Sequence, residues 1–168
     1  MGLSVTTGGK GEVLVVGTVF RGSSWLDNIL TSWVRPKTIC ALSIISSLII
    51  ASKQYSQLHA VILSKKDPLF GNDASIVELS HMVKLPVISI IRKKKEKNKE
   101  GKTLQKAHYE IEVHGERIHV LAKGKSLEET QELFILCSAP KSCIPEAARI
   151  ADLISEQVRL KWNSLGLA

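Results

Sequence analysis

The strongest constraint on the fold lies in residues 58–92, LHAVILSKKDPLFGNDASIVELSHMVKLPVISIIR. Two short, almost continuously apolar runs, 58–63 and 86–91, bracket a stretch with helical character. Strands that are apolar throughout are those covered on both faces, as in the parallel part of a sheet. Ser75 and Glu78 have the spacing of a capping box, which predicts a helix from there to near Lys84, just ahead of Pro86. The unit is strand, loop, helix, strand. In open α/β sheets, ligands gather beyond the carboxyl ends of the strands, and here that edge is the loop 64–72 and the basic stretch that begins at Arg92.

The flanking segments supply the rest of a mixed sheet. Residues 12–20, EVLVVGTVF, read as a strand, and Arg21-Gly22-Ser23 as a turn. Residues 25–34 fit two patterns, because Trp25, Ile29 and Trp33 share a face in a strand and also satisfy helical i, i+4 spacing. Two tryptophans and the short turn before them favour a strand hairpinned to the first and covered on both sides. From Thr38 to about Ser52 a helix is expected, with Ser43, Ser46 and Ser47 forming a small polar face against a neighbouring element. Alternation from Tyr109 to Val120 around His114-Gly115 predicts a hairpin with one polar face at a sheet edge or flank. Ser126 and Glu129 form a second capping box, opening a helix to about Cys137. Pro145 suits the first turn of a last helix, whose Ala147, Ile150, Ala151, Ile154 and Val158 make a stripe.

The length of 168 residues fits one domain, 1–168. A net charge of +7 favours an anionic partner, nucleic acid ahead of a membrane surface. Cys40, Cys137 and Cys143 form no CxxC pair, so a reducing, cytoplasmic setting is expected in which all three pack as small hydrophobes, the alternative being a Cys137–Cys143 bridge across the loop containing Pro140. Residues 1–11 lack the apolar core of a signal peptide. The run 39–51 is only about half the roughly 20 residues of a membrane span.

Catalytic signatures are sparse. A metal-dependent phosphodiesterase needs several carboxylates converging at strand ends, because magnesium takes hard oxygen ligands. Up to Phe70 the chain carries only Glu12, Asp27 and Asp67 as acids. Asp27, on a presumed strand, fits a structural hydrogen bond or ion pair better than a metal ligand, and Asp67 precedes Pro68 in an ordinary turn start. His59 reads as a core residue. His81, His108, His114 and His119 read as surface groups, and none has zinc-ligand spacing. Ser64 lies in no GxSxG elbow, and Gly8-Gly9-Lys10-Gly11 is a flexible turn rather than a phosphate loop. The sharpest charge feature is residues 92–106, RKKKEKNKEGKTLQK, with eight Lys or Arg in fifteen positions, a pattern equally met in solvated faces and in nucleic-acid contacts.

Taken together, VVGTVFRGSSWLDNIL, SKQYSQLHAVIL, GNDASIVELSHMVKLPVISIIRKK, GKSLEETQELF and SCIPEAARIADLI resemble the archaeal endonuclease dU family, related to endonuclease V. The resemblance spans about 13–154. It implies a ribonuclease H-like α/β fold: an early antiparallel hairpin, parallel central strands and flanking helices. It also implies acids that this chain lacks. Family members carry an acidic pair in the first strand, where this chain has GLSVTTGG with Thr6 and Thr7. They carry an acidic stretch after the WLD strand, where Val34-Arg35-Pro36-Lys37 stands, and an Asp at the end of the strand that here runs into Ser64-Lys65.

Hydroxyls bind magnesium weakly, and lysines repel a dication while attracting phosphate. The expectation is therefore an impaired nuclease fold, a pseudoenzyme that binds DNA or RNA through Lys65, Lys66, Arg92, Lys93, Lys94, Lys95, Lys97 and Lys99. No cofactor is expected on this view. One alternative is an active nuclease on deoxyuridine- or deoxyinosine-containing DNA, using magnesium or manganese at a rearranged site of Asp27, Asp67 and Asp73. Another is a protein-interaction module, as a homo-oligomer or with a protein partner.

Overall fold

The computed structural model describes residues 1–7, 12–35, 41–64, 73–91 and 108–164. Seven strands form one mixed sheet: β1 (Gly2–Thr7), β2 (Val13–Arg21), β3 (Trp25–Val34), β4 (Val61–Leu63), β5 (Val87–Ile91), β6 (His108–Val113) and β7 (Glu116–Lys123). Their order is β3-β2-β1-β4-β5-β7-β6. β1 pairs antiparallel with β2 and parallel with β4, so an early antiparallel meander joins a parallel centre at β1. The helices are α1 (Ala41–Ile50), α2 (Asp73–Val83), α3 (Leu127–Cys137) and α4 (Glu146–Ser164).

Alternation along β1 divides the layers. Leu3 and Val5 join Val13, Val15, Leu63 and Val87 in a core closed by Ile45, Ile49, Ile76 and Leu79 of α1 and α2. On the other face Ile62, Ile88, Ile111 and Val120 pack with Phe134 of α3 and Ala148 of α4, while Leu14 and Val16 meet Ala151. The central parallel pair is thus covered on both sides, as its apolar runs demand.

Several expectations change in detail. β4 is three residues long, because a 3₁₀ turn at Tyr55–Gln57 precedes it and residues 58–60 lie outside the strand. The Tyr55 hydroxyl donates to the Val83 carbonyl at 2.7 Å, fixing this turn to the end of α2. His59 is therefore exposed, not a core residue. α2 begins at Asp73. Ser75 already lies inside the helix rather than at its N-cap. The helix closes at Lys84, in the left-handed region with φ 51.

In α1, Ser43 and Ser47 face solvent while Ala41, Ile45 and Ile49 turn inward, so the helix packs by its apolar stripe and not by its serines. Ser46 alone is buried, donating to the Ser43 carbonyl at 2.9 Å. β3 is a strand hairpinned to β2, as the tryptophans favoured, but it is the sheet's outer strand and is not covered on both faces. The Ser126 box forms with both bonds present. His114 and Gly115, at φ 51 and 83, make the two-residue turn of the β6–β7 hairpin. Cys137 and Cys143 do not bridge each other, and burial raises the Cys137 pKa.

Candidate functional site

The centre of interest is where β1 and β4 run side by side beneath α4. Gly2 makes this possible. A Cβ there would fall 2.1 Å from the carbonyl carbon of Ala147, so only glycine lets the helix lie directly on the strand. The helix contributes small residues in return, with Ala147, Ala148, Ala151 and Ser155 all buried. Thr18 of β2 fastens the first turn by donating to the Ala147 carbonyl at 2.6 Å.

Two residues along β1 from Gly2, on the same face, stands Ser4. Its hydroxyl donates to Oδ1 of Asp152 at 2.6 Å and lies 2.9 Å from the Ser155 hydroxyl. Ser155 also donates to the Asp152 carbonyl at 3.0 Å. In the β1–β4 ladder Leu3 pairs with Leu63, and the Ser64 amide donates to the Leu3 carbonyl at 2.9 Å. Continuing that register places Ser64 beside Ser4, and both are 2% exposed. Among the described residues, the middle of β1 and the chain just past β4 present the Ser4 and Ser64 hydroxyls, and α4 brings Ser155 and one carboxylate, Asp152, down to Ser4.

The other buried or half-buried carboxylates are committed elsewhere. Glu146, in the first turn of α4, holds Arg149 through three bonds of 2.6 to 3.0 Å, which raises the guanidinium pKa above its ordinary value. Asp27 pairs with the Arg21 guanidinium. It is the extra residue of a β-bulge, since Val19 pairs with Asn28 but Phe20 with Leu26. Asp27 also lines a cleft of about 360 Å³ with Arg21, Gln57, His59 and Cys137. That cleft lies at the edge where β1 and β4 begin, opposite the edge where β4 ends.

Of the candidate site acids Asp27, Asp67 and Asp73, Asp27 alone has a described side chain. Asp67 lies outside the described residues, and Asp73 is described only as the first residue of α2. Lys65, Lys66, Arg92, Lys93, Lys94, Lys95, Lys97 and Lys99 also lie outside the described residues. The points from which the chain enters those basic stretches are described. β4 and β5 are parallel neighbours, with Leu63 opposite Ser89, so Ser64 and Ile91 leave the sheet at one edge.

No group of three or more His, Cys, Asp or Glu capable of holding a metal occurs among the described residues. The donor set of Ser4, Ser64, Ser155 and Asp152 does not suit magnesium, which favours carboxylate oxygen. Sequence reasoning placed the lost first-strand acids at Thr6 and Thr7; Ser4 hydrogen-bonds to α4. The only advance signal was a glycine in the first strand and small residues at helical spacing in the last. The partners are 148 positions apart, beyond the reach of any local pattern.

Comparison with known proteins gives a consistent result. The family model described as endonuclease dU matches residues 4–159. A UPF0215 protein of Methanothermobacter thermautotrophicus is 32% identical, over 89% of this chain and 80% of the relative. Among solved structures, a protein of unknown function from Archaeoglobus fulgidus superposes with a TM-score of 0.69 at 18% identity, covering 94% of this chain and 95% of that one. Ciona intestinalis endonuclease V, solved with a 24mer DNA containing an inosine followed by a ribo-adenosine, superposes with a TM-score of 0.62 at 14% identity, covering 95% and 84%. The fold is ribonuclease H-like, as in endonuclease V.

Proposed function

Because the chain belongs to the endonuclease dU family, we propose that it is a divergent, single-domain member that binds DNA or RNA through a basic surface and is impaired in the cutting step. The observation that carries this is the Ser4–Asp152–Ser155 cluster. A strand end equipped for metal-assisted phosphodiester hydrolysis gathers carboxylates that clamp the attacking and leaving oxygens through the ion. Among the described residues, the one carboxylate bonded to β1 is Asp152, already hydrogen-bonded to a hydroxyl, and the residue that follows β4, Ser64, carries another hydroxyl. No hydrolytic step follows from such a donor set. Binding has separate support: the net charge of +7, two basic stretches that follow in sequence on Ser64 and Ile91, the residues at the edge where β4 and β5 end, and a fold shared with an endonuclease V solved on DNA. Lys65, Lys66 and the Arg92–Lys99 cluster grip phosphates in this scheme and carry little sequence information.

A salt titration of binding to uracil-containing, inosine-containing and plain DNA and RNA, with magnesium or manganese present and products separated, tests both parts. Expected are affinities that fall with salt at a log–log slope of about −0.9 per duplex phosphate neutralised, similar for all sequences, with substrates left intact. Metal-dependent products abolished by Asp27→Ala or Asp67→Ala would establish the rearranged Asp27, Asp67, Asp73 site instead. An affinity and salt slope unmoved by reversing Lys93, Lys94 and Lys95 to Glu would favour a protein-interaction module.

A further inference from the structure

The outer strand β3 is built to pair, and among the described residues it has a strand neighbour on one side only. Edge strands are ordinarily protected by charge, proline, brevity or a bulge, because their free N–H and C=O groups template another strand. β3 has ten residues and no proline. Its bulge sits at Asp27, near one end, so the run Asn28–Val34 pairs regularly with Val13–Val19. That run, NILTSWV, carries no charge. Ile29 and Trp33 on one side of it are exposed, at 45% and 41% accessible, with Trp25 at 66% and Leu26 at 41% beyond the bulge, while Leu30 and Val34 turn to the core. Ile29, Thr31 and Trp33 share the α4 side, where Trp33 stacks on Trp162 with ring centroids 4.3 Å apart.

From this we propose that a second copy of the chain occupies this edge, pairing β3 to β3 in antiparallel register about a two-fold axis at Thr31. The register follows from the strand itself. With Thr31 opposite its twin, Ile29 faces Trp33 of the other copy and Trp33 faces Ile29, two aromatic–β-branched cross-strand pairs of the kind that stabilise antiparallel sheets. On the other face Leu30 meets Ser32 and Asn28 meets Val34. A two-fold contact of this type closes at two copies.

Charge also favours a twin. A chain of net charge +7 repels itself over most orientations. Along β3, however, the one acid is neutralised by Arg21, and Arg35 just past the strand pairs with Glu12 at 3.1 Å. The same neutrality disfavours nucleic acid, which needs cations beside stacking aromatics. The four exposed apolar side chains offer on the order of 400 Å², about half of the roughly 800 Å² per partner of a stable interface. Strand backbone and flanking side chains make up the remainder.

Sedimentation of the full chain over a concentration series tests this, together with Thr31→Lys and Thr31→Cys. The wild type is expected to sediment as a dimer at roughly 100 µM. Thr31→Lys, which sets two ammonium groups face to face on the axis, should weaken association by at least about tenfold with an unchanged melting temperature. Thr31→Cys should cross-link to a covalent dimer on mild oxidation, while wild type and Ser32→Cys do not. If Thr31→Lys failed to fold, the cross-link would still decide. A monomeric wild type, a dimer indifferent to Thr31→Lys, or no Thr31→Cys cross-link overturns the proposal. So does a monomer that loses single-stranded DNA binding on Trp33→Ala, which would make the strand a base-stacking platform.

Discussion

The two ends of the sheet solve one problem in opposite ways. At the β1–β2–β3 end a helix is seated by removing side chains: Gly2 and the small face of α4 allow contact so close that the helix is confined over β1 and β2. It reaches the outer strand through Trp162, stacked on Trp33, yet leaves Ile29 and Trp33 accessible. At the β5–β7–β6 end a helix is held by adding one. Phe134 of α3 is fully buried against Ile111 and Val113 of the outer strand β6. The exposed face of β6 then carries His108, Glu110 and Glu112, with Arg117 of β7 alongside. One end leaves its edge neutral and apolar, and the other charges it. Packing by close approach limits how far a helix spreads over a sheet, and that limit exposes β3.

Two substitutions break the contrast at its roots. Gly2→Ala should be the most damaging single methyl in the molecule. The new carbon would overlap α4 backbone, which cannot swing aside as a side chain can, so the cost should lie at or above the top of the roughly 1–3 kcal/mol typical of overpacked sites. Urea denaturation would read it, and a loss under about 1 kcal/mol would show that α4 is not tightly seated. Phe134→Ala should cost about 3–5 kcal/mol through the cavity left under β6. Hydrogen exchange should then rise in β6 and β7 while β1 and β2 keep their protection.

Ser4→Ala sharpens the picture at the polar end. It removes the donor to Asp152 and the contact with Ser155, for an expected loss of about 1–2 kcal/mol, less than for a fully buried ion because Asp152 keeps some solvent. If the cluster is the silent remnant proposed above, nucleic-acid affinity should be unchanged. Ser126→Ala should cost about 1 kcal/mol by deleting the α3 cap. The cap also sets a pH dependence. Hydrogen bonding within the cap depresses the pKa of Glu129 below 4.5, chiefly through the Ser126 amide, and that of Glu128 below the same value, chiefly through its own backbone. A depressed carboxylate contributes stability that is complete above its unfolded pKa and lost as pH falls through the folded value. Wild type should therefore lose this contribution below about pH 4.5, and Ser126→Ala should show a shallower acid limb.

What was legible in the sequence divides along the same line. The parallel centre was readable because strands covered on both faces write continuous apolar runs, and α3 because its box lies within four residues. The β6–β7 edge was readable because its guard charges alternate. The β3 end was misjudged because two tryptophans in a strand look like core. Whether they are covered depends on how close α4 approaches β1, through a glycine more than twenty positions away and a helix more than a hundred. The Ser4 cluster was illegible for the same reason: no period in β1 points to Asp152.

The smallest expected effect on monomer stability bears most directly on the comparison. Glu110 and Glu112 lie 3.8 and 3.7 Å from the Arg117 guanidinium, all largely exposed, and such pairs contribute about 0–1 kcal/mol. Replacing both acids by Thr should leave the melting temperature nearly unchanged, since Thr suits a strand and α3 still covers the inner face. If charge is what keeps β6 from pairing, the substitution should matter only between molecules. In a Thr31→Lys background, where β3 carries a new guard, light scattering should rise with concentration and β6 amides should become protected from exchange. Were the guard charges irrelevant, the doubly exchanged protein would stay as monomeric as Thr31→Lys alone. The exposure of β3 would then have to be explained by something other than its missing charge.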